Sequence, residues 1–258
     1  MSDTAYIALL LDAPMQSWGF SSRFQRRTTG LHPTKSGVIG LICAALGVAK
    51  GSDGERGLLP ELVKLKMTSV AIPRQQTPAW ADETAELAAR RLEDFHTIGG
   101  GYDKETQRQF IPRKASGGPC DNPTVSRRQY LNDARFGVIL SGGRFVLERV
   151  AAALQDPTWG VWFGRKSCIP SAPVFLELCD SQDTGWKAIL RACELSGDTP
   201  WETFTSVSEV SDFAEGTDSV TDQPVSFGDG TSSGPDKRQF APRRIKLVPG
   251  RAIENRQS

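Results

Sequence analysis

Apolar positions first gather at residues 6–11 (Tyr6, Ile7, Ala8, Leu9, Leu10, Leu11) and halt at Asp12-Ala13-Pro14, which predicts a strand closed by a turn. After a polar, glycine-bearing loop, Val38, Ile39, Leu41, Ile42, Ala45 and Leu46 cover most of the circumference of a helix over about 37–46. Such a helix is buried, Ser36 or Thr34 can cap it, and Gly37 and Gly40 permit close approach to a strand. A second strand is predicted over 65–72, ending at Pro73. Residues 74–128 carry glycine clusters and prolines with little apolar periodicity, and read as an extended insertion. A strand over 134–140 then passes through Ser141-Gly142-Gly143 into an amphipathic helix with Val146, Leu147, Val150, Ala151 and Leu154 on one face, ending at Asp156-Pro157. The order strand, helix, strand, insertion, strand, helix, strand predicts an α+β, ferredoxin-like sandwich with a long insertion at 74–128. Residues 208–236, rich in Ser, Asp, Gly and Thr, read as an acidic loop or disordered segment, leaving the C-terminal region irregular.

Composition narrows the class. With 258 residues, 38% hydrophobic and 24% charged, the chain can bury a core and is expected to form one domain, 1–258, carrying that insertion. The first apolar stretch lacks a basic leader, and the longest apolar run, 38–49, is interrupted by Gly40 and Gly47, so neither a secretion signal nor a membrane span is expected. Five cysteines without a C-x-x-C pair suit reduced thiols in a cytoplasm. With two histidines, His32 and His96, structural zinc is disfavoured, and no cofactor or metal is expected.

The net charge of +1 averages over blocks of opposite sign. Residues 14–50 hold Arg23, Arg26, Arg27, Lys35 and Lys50 and no acid, whereas 202–236 hold eight acids and no Lys or Arg. The end turns basic again with Lys237, Arg238, Arg243, Arg244, Lys246 and Arg251. A mid-chain cluster adds Lys104, Arg108, Arg113, Lys114, Arg127 and Arg128. If these basic segments meet they form a groove for a polyanion; otherwise they are solvated loops.

No enzymatic template is completed. Residues 30–36, G-L-H-P-T-K-S, place Lys-Ser before an apolar helix, yet Thr34 stands where a phosphate-binding loop needs glycine. What remains is a helix N-terminus able to receive an anion, against the plainer reading that Ser36 only caps a core helix. Arg165-Lys166-Ser167 is a possible second backbone-phosphate contact. Phe136 in Arg135-Phe136-Gly137-Val138 is a fragment of an RNA-recognition signature and reads better as core. His96 lacks a partner nucleophile. Trp18, leading into Arg23, Arg26 and Arg27, can stack a base or anchor its loop on the core.

Several ordered motifs then coincide: Ala13-Pro14-Met15-Gln16-Ser17-Trp18-Gly19, Pro33-Thr34-Lys35-Ser36-Gly37, Asp94-Phe95-His96-Thr97, Arg128-Gln129-Tyr130-Leu131-Asn132-Asp133-Ala134, Gly164-Arg165-Lys166-Ser167-Cys168 and Arg238-Gln239-Phe240-Ala241-Pro242-Arg243. Together they resemble the CasD family, the handle-binding subunits of type I-E CRISPR Cascade. The resemblance implies a ferredoxin-like (RRM-like) domain whose insertion forms a thumb. It also implies a noncatalytic subunit that grips the 5′ handle of the crRNA, touches the Cascade backbone and large subunits, and meets target DNA through the assembled complex. The expected RNA-binding residues are Gln16, Ser17, Trp18, Arg23, Arg26, Arg27, Lys35, Ser36, Gly37, Arg108, Arg113, Arg128, Arg165 and Lys166. A rival reading, a metal-independent endoribonuclease on precursor RNA, would draw on His96, Lys35 and Tyr102.

Overall fold

The structure, a computed structural model, describes residues 4–19, 25–76, 85–87, 90–98, 103, 105, 110–111, 118, 123–228 and 238–250. The chain begins with β1 (Thr4–Asp12), β2 (Met15–Gln16), β3 (Arg26–Arg27), α1 (Lys35–Ala45), α2 (Asp53–Leu62) and β4 (Lys66–Ala71). Then come β5 (Arg74–Gln76), β6 (Ala85–Leu87), β7 (Arg90–Ile98), β8 (Thr124–Asn132), β9 (Arg135–Gly143) and α3 (Arg144–Gln155). The last part holds β10 (Phe175–Cys179), α4 (Gln182–Ala192), β11 (Ser206–Glu209), β12 (Asp218–Ser226) and β13 (Gln239–Val248). No helix among the described residues is long and apolar enough to cross a membrane.

The central sheet has seven strands in the order β10-β1-β9-β4-β11-β13-β12, with every neighbouring pair antiparallel. β1 connects to β4 through α1 and α2, and β9 connects to β10 through α3. The unbroken apolar run of β1 has a simple cause. Ile7, Leu9 and Leu11 join the core beneath α1 and α3, while Ala8 and Leu10 pack on the other face with Trp186 and Ile189 of α4. β9 divides in the same way, with Phe136, Val138 and Leu140 to one side and Ile139 to the other. Gly137 lets α4 approach: a Cβ there would lie 2.7 Å from Ile189 Cγ2. Helix α4 was not anticipated, and it adds a layer on the second face of the sheet.

Helix α1 is capped by Thr34 rather than Ser36, with Thr34 Oγ1 accepting from Gly37 N at 3.2 Å. α2 starts with Ser52 accepting from Glu55 N, while Glu55 Oε2 accepts from Gly51 N, which ties both ends of the first turn.

Two readings of the sequence need correction. Within the insertion, β7 and β8 form a nine-pair antiparallel hairpin from Arg90↔Asn132 to Ile98↔Thr124, joined by β2 and β3 in a four-stranded sheet. Its alternating polar sequence serves a sheet exposed on much of its surface, so it lacks the apolar density that signals a core strand. The acidic stretch 208–236 is the second. Residues 218–226 are β12, paired with β13. Acid block and basic block meet there: Arg243 Nε and Nη2 donate to the Asp222 carboxylate at 2.5 and 2.9 Å, neutralising it, and Arg244 Nη1 donates to the Ser219 hydroxyl at 3.2 Å.

Candidate nucleic-acid interface

Parallel pairing of β3 with β8 sets Arg26 beside Arg127 and Arg27 beside Arg128. Strand alternation then sends the two pairs to opposite faces. Arg26 and Arg127 each approach Glu93 at 3.9 Å. Arg27 and Arg128 instead line an open groove of about 880 Å3, shared with Tyr130 and His96 of the hairpin and with Trp162, Arg165 and Lys166 from the turn after α3. Burial, then the charges of Arg128, Arg165 and Arg238, pull the Arg27 guanidinium below its ordinary range. Four arginines therefore crowd one place. Such mutual repulsion is relieved by a polyanion.

The groove is not wholly cationic, since Glu93 and Asp94 also reach it and Asp94 Oδ2 lies 3.7 Å from His96 Nδ1. Its floor is aromatic. The Arg165 guanidinium sits 4.4 Å from the Tyr130 ring centre, and Lys166 Nζ lies 5.7 Å from that of Trp162. Arg165 Nη2 donates to Arg27 O at 3.3 Å, while its buried Nη1 has no hydrogen-bond partner. A guanidinium held against the Tyr130 ring at the groove wall sets a fixed positive charge where a phosphate can be met.

The other expected contacts fare differently. Trp18 is 1% exposed and cannot stack a base; its Nε1 donates to Gln16 Oε1 at 3.0 Å. Gln16 is fully buried, and Ser17 is buried beside it. Lys35 is also fully buried: its Nζ donates to Glu209 Oε2 at 2.8 Å and Val63 O at 2.7 Å. Burial pulls that ammonium below its ordinary range, against the opposing pull of Glu209. No phosphate reaches it.

The start of α1 fares no better as an anion site, because a carboxylate of this chain already occupies it. Lys35 N donates to Asp222 Oδ2 at 2.8 Å, Gly37 N is held by Thr34, and Gly37 itself lies under the Trp18 ring, where a Cβ would come within 2.9 Å. Ser36 is half-buried with its hydroxyl 3.4 Å from Thr34 Oγ1. Arg23, Arg108, Arg113 and Tyr102 lie outside the described residues.

Trp162 and Tyr130 were missed as groove residues. The signals were there: Tyr130 stands two residues after Arg128 on a strand, hence on the same face, and Trp162 precedes the Gly164-Arg165-Lys166 turn by two.

The family described as CRISPR-associated protein (Cas_Cas5) matches residues 6–246. This chain belongs to the Cas5 family. Among its relatives is the CRISPR system Cascade subunit CasD of Escherichia coli (strain K12), 28% identical over 198 residues, or 75% of this chain and 80% of that one. A chain of a CRISPR RNA-guided surveillance complex superposes with a TM-score of 0.65 at 27% identity, covering 95% of this chain and 90% of its own. The crystal structure of a Cas protein gives 0.56 at 27% identity, covering 95% of both chains. As a Cas5 chain, this one shares an α+β fold of mostly antiparallel sheets with helices on them, and the basic groove lies within the matched span.

Proposed function

We propose that this chain is a noncatalytic RNA-binding subunit of a Cascade-type surveillance complex and that its groove grips the 5′ handle of the crRNA. The observation that carries this reading is the convergence of Arg27, Arg128, Arg165 and Lys166 on one groove beside Trp162 and Tyr130. Phosphates meet the cations, and an unstacked base meets the aromatic floor. The sheet order β10-β1-β9-β4, with its two helical crossovers, supports a ferredoxin-like core, and the β7-β8 hairpin is the described part of a thumb. Cascade backbone and large subunits are the proposed neighbours, target DNA is met through the complex, and the cytoplasm is where it acts.

Salt titration against RNA carrying the repeat-derived 5′ segment tests this. Four neutralised phosphates at a slope of roughly −0.7 each cost about 50-fold in affinity between about 50 and 200 mM salt. A flat response overturns the groove. His96, set among the groove cations, keeps an endoribonuclease as the second reading, although burial removes Lys35 from its machinery. The noncatalytic reading expects repeat RNA to stay intact in chelator; a discrete cut abolished by His96→Ala replaces it with the nuclease.

A further inference from the structure

Three separate chain segments bring cations to the groove: 25–30 carries Arg27, β8 carries Arg128, and the turn 163–168 carries Arg165 and Lys166. All three are hydrogen-bonded to one buried tripeptide, Gln16-Ser17-Trp18. For the first segment, Trp18 N donates to Thr29 Oγ1 at 2.8 Å, and Gly30 N donates to Trp18 O at 2.7 Å. For the second, Gln16 pairs with Leu131 through β2, and Ser17 Oγ donates to Gln129 O at 3.2 Å. For the third, Ser17 N donates to Phe163 O at 3.0 Å, the Trp18 and Phe163 rings lie 5.9 Å apart, and Gly164 seats on Ser17 so closely that a Cβ would fall 1.8 Å from Ser17 O. Gly164 has φ +91°, which glycine adopts without strain.

The tripeptide is itself fastened to the central sheet. Gln16 Nε2 donates to Leu11 O at 2.9 Å and to Ala134 O at 2.7 Å, while its Oε1 accepts the Trp18 indole. Every polar atom of the Gln16 amide therefore has a partner, and those partners lie at the end of β1, at the β8-β9 turn and on Trp18.

We infer that Gln16 and Trp18 are positioning residues: without touching RNA, they set the mutual register of the three cationic segments and so fix how many phosphates the groove neutralises at once. This rests on the groove reading above. Their role differs from ordinary core packing in a measurable way, because lost register lowers the number of simultaneous phosphate contacts in molecules that remain folded.

The test uses the full chain and fluorescein-labelled single-stranded RNA carrying the repeat-derived 5′ segment, with folding of each variant verified by near-ultraviolet circular dichroism. Gln16→Ala is expected to make the slope of log affinity against log salt shallower by about 0.7, one phosphate fewer. Trp18→Phe keeps a ring and loses the indole donor, and should fall between Gln16→Ala and the parent. Should Gln16→Ala fail to fold, Trp18→Phe and Ser17→Ala decide the matter. Folded variants with the parent's slope overturn the positioning role, while Arg165→Ala still flattens the slope and leaves the groove standing. If Arg165→Ala also keeps the parent's slope, the groove reading itself falls and takes the positioning role with it.

Discussion

His32 and Lys35 show how little a residue's type says about its work. His32 is half-buried against Phe136, ring centres 5.7 Å apart, with its Nδ1 3.5 Å from Ser69 Oγ. Burial pushes its imidazole down from 6.5 to about 4. The unfolded chain therefore binds a proton that the folded chain refuses, so His32 contributes its full stability above about pH 6.5. That contribution declines as pH falls and levels off near 4, a loss of about 2 kcal/mol by pH 5. Denaturant titrations at pH 7 and pH 5 should show the gap shrink in His32→Gln by about that amount. Lys35 offers a sharper contrast. Lys35→Met removes the nearer counter-charge of Glu209, leaving it Arg243 Nη1 at 3.8 Å, and should cost on the order of 3 kcal/mol while leaving the salt slope for RNA unchanged in folded protein. Arg165→Ala should do the reverse, with a small change in melting temperature and a shallower slope. In the sequence these two residues read alike, each basic and just ahead of a serine, Lys35 by one position and Arg165 by two. What separated them was invisible there: Glu209 lies 174 positions beyond Lys35.

Among the elements, those legible in the sequence were the ones with dense apolar periodicity. β1, α1, β4, β9 and α3 emerge close to where the pattern places them, because their residues face a dry core on one or both sides. β12 was unreadable for the opposite reason. Its Asp218, Ser219, Thr221 and Asp222 look solvated until β13 supplies arginines from about twenty positions on. Asp222 is 4% exposed and bridges β13 to the head of α1. Asp222→Ala should therefore destabilise by about 3–5 kcal/mol, since it leaves the Arg243 charge buried without its main partner. The double variant Asp222→Leu with Arg243→Met should recover most of that loss in the same unfolding assay. A variant pair that merely adds its two penalties would mean that the ion pair does not couple these elements.

Over the whole molecule, net charge is a poor guide to what binds. The formal value is +1, yet four cations share the groove while Arg243 and Arg244 of the C-terminal basic block are held within their own sheet. The motifs were readable as a set, and so was the family they imply. Which of their residues face solvent was not, because that depends on segments 25–30, 124–132 and 163–168 meeting at Gln16, Ser17 and Trp18, the last two segments from more than a hundred positions away.

The contact between Lys35 and Glu209 also imposes an order of events on a newly made chain. At about 5–20 residues per second, the ribosome needs roughly ten to thirty-five seconds to travel from the lysine to its partner. Throughout that interval the ammonium stays hydrated and the amino end of α1 has no counter-charge from Asp222. Helix α1 can dock fully only once residues 209–222 have emerged, so closure of the interior is a late step.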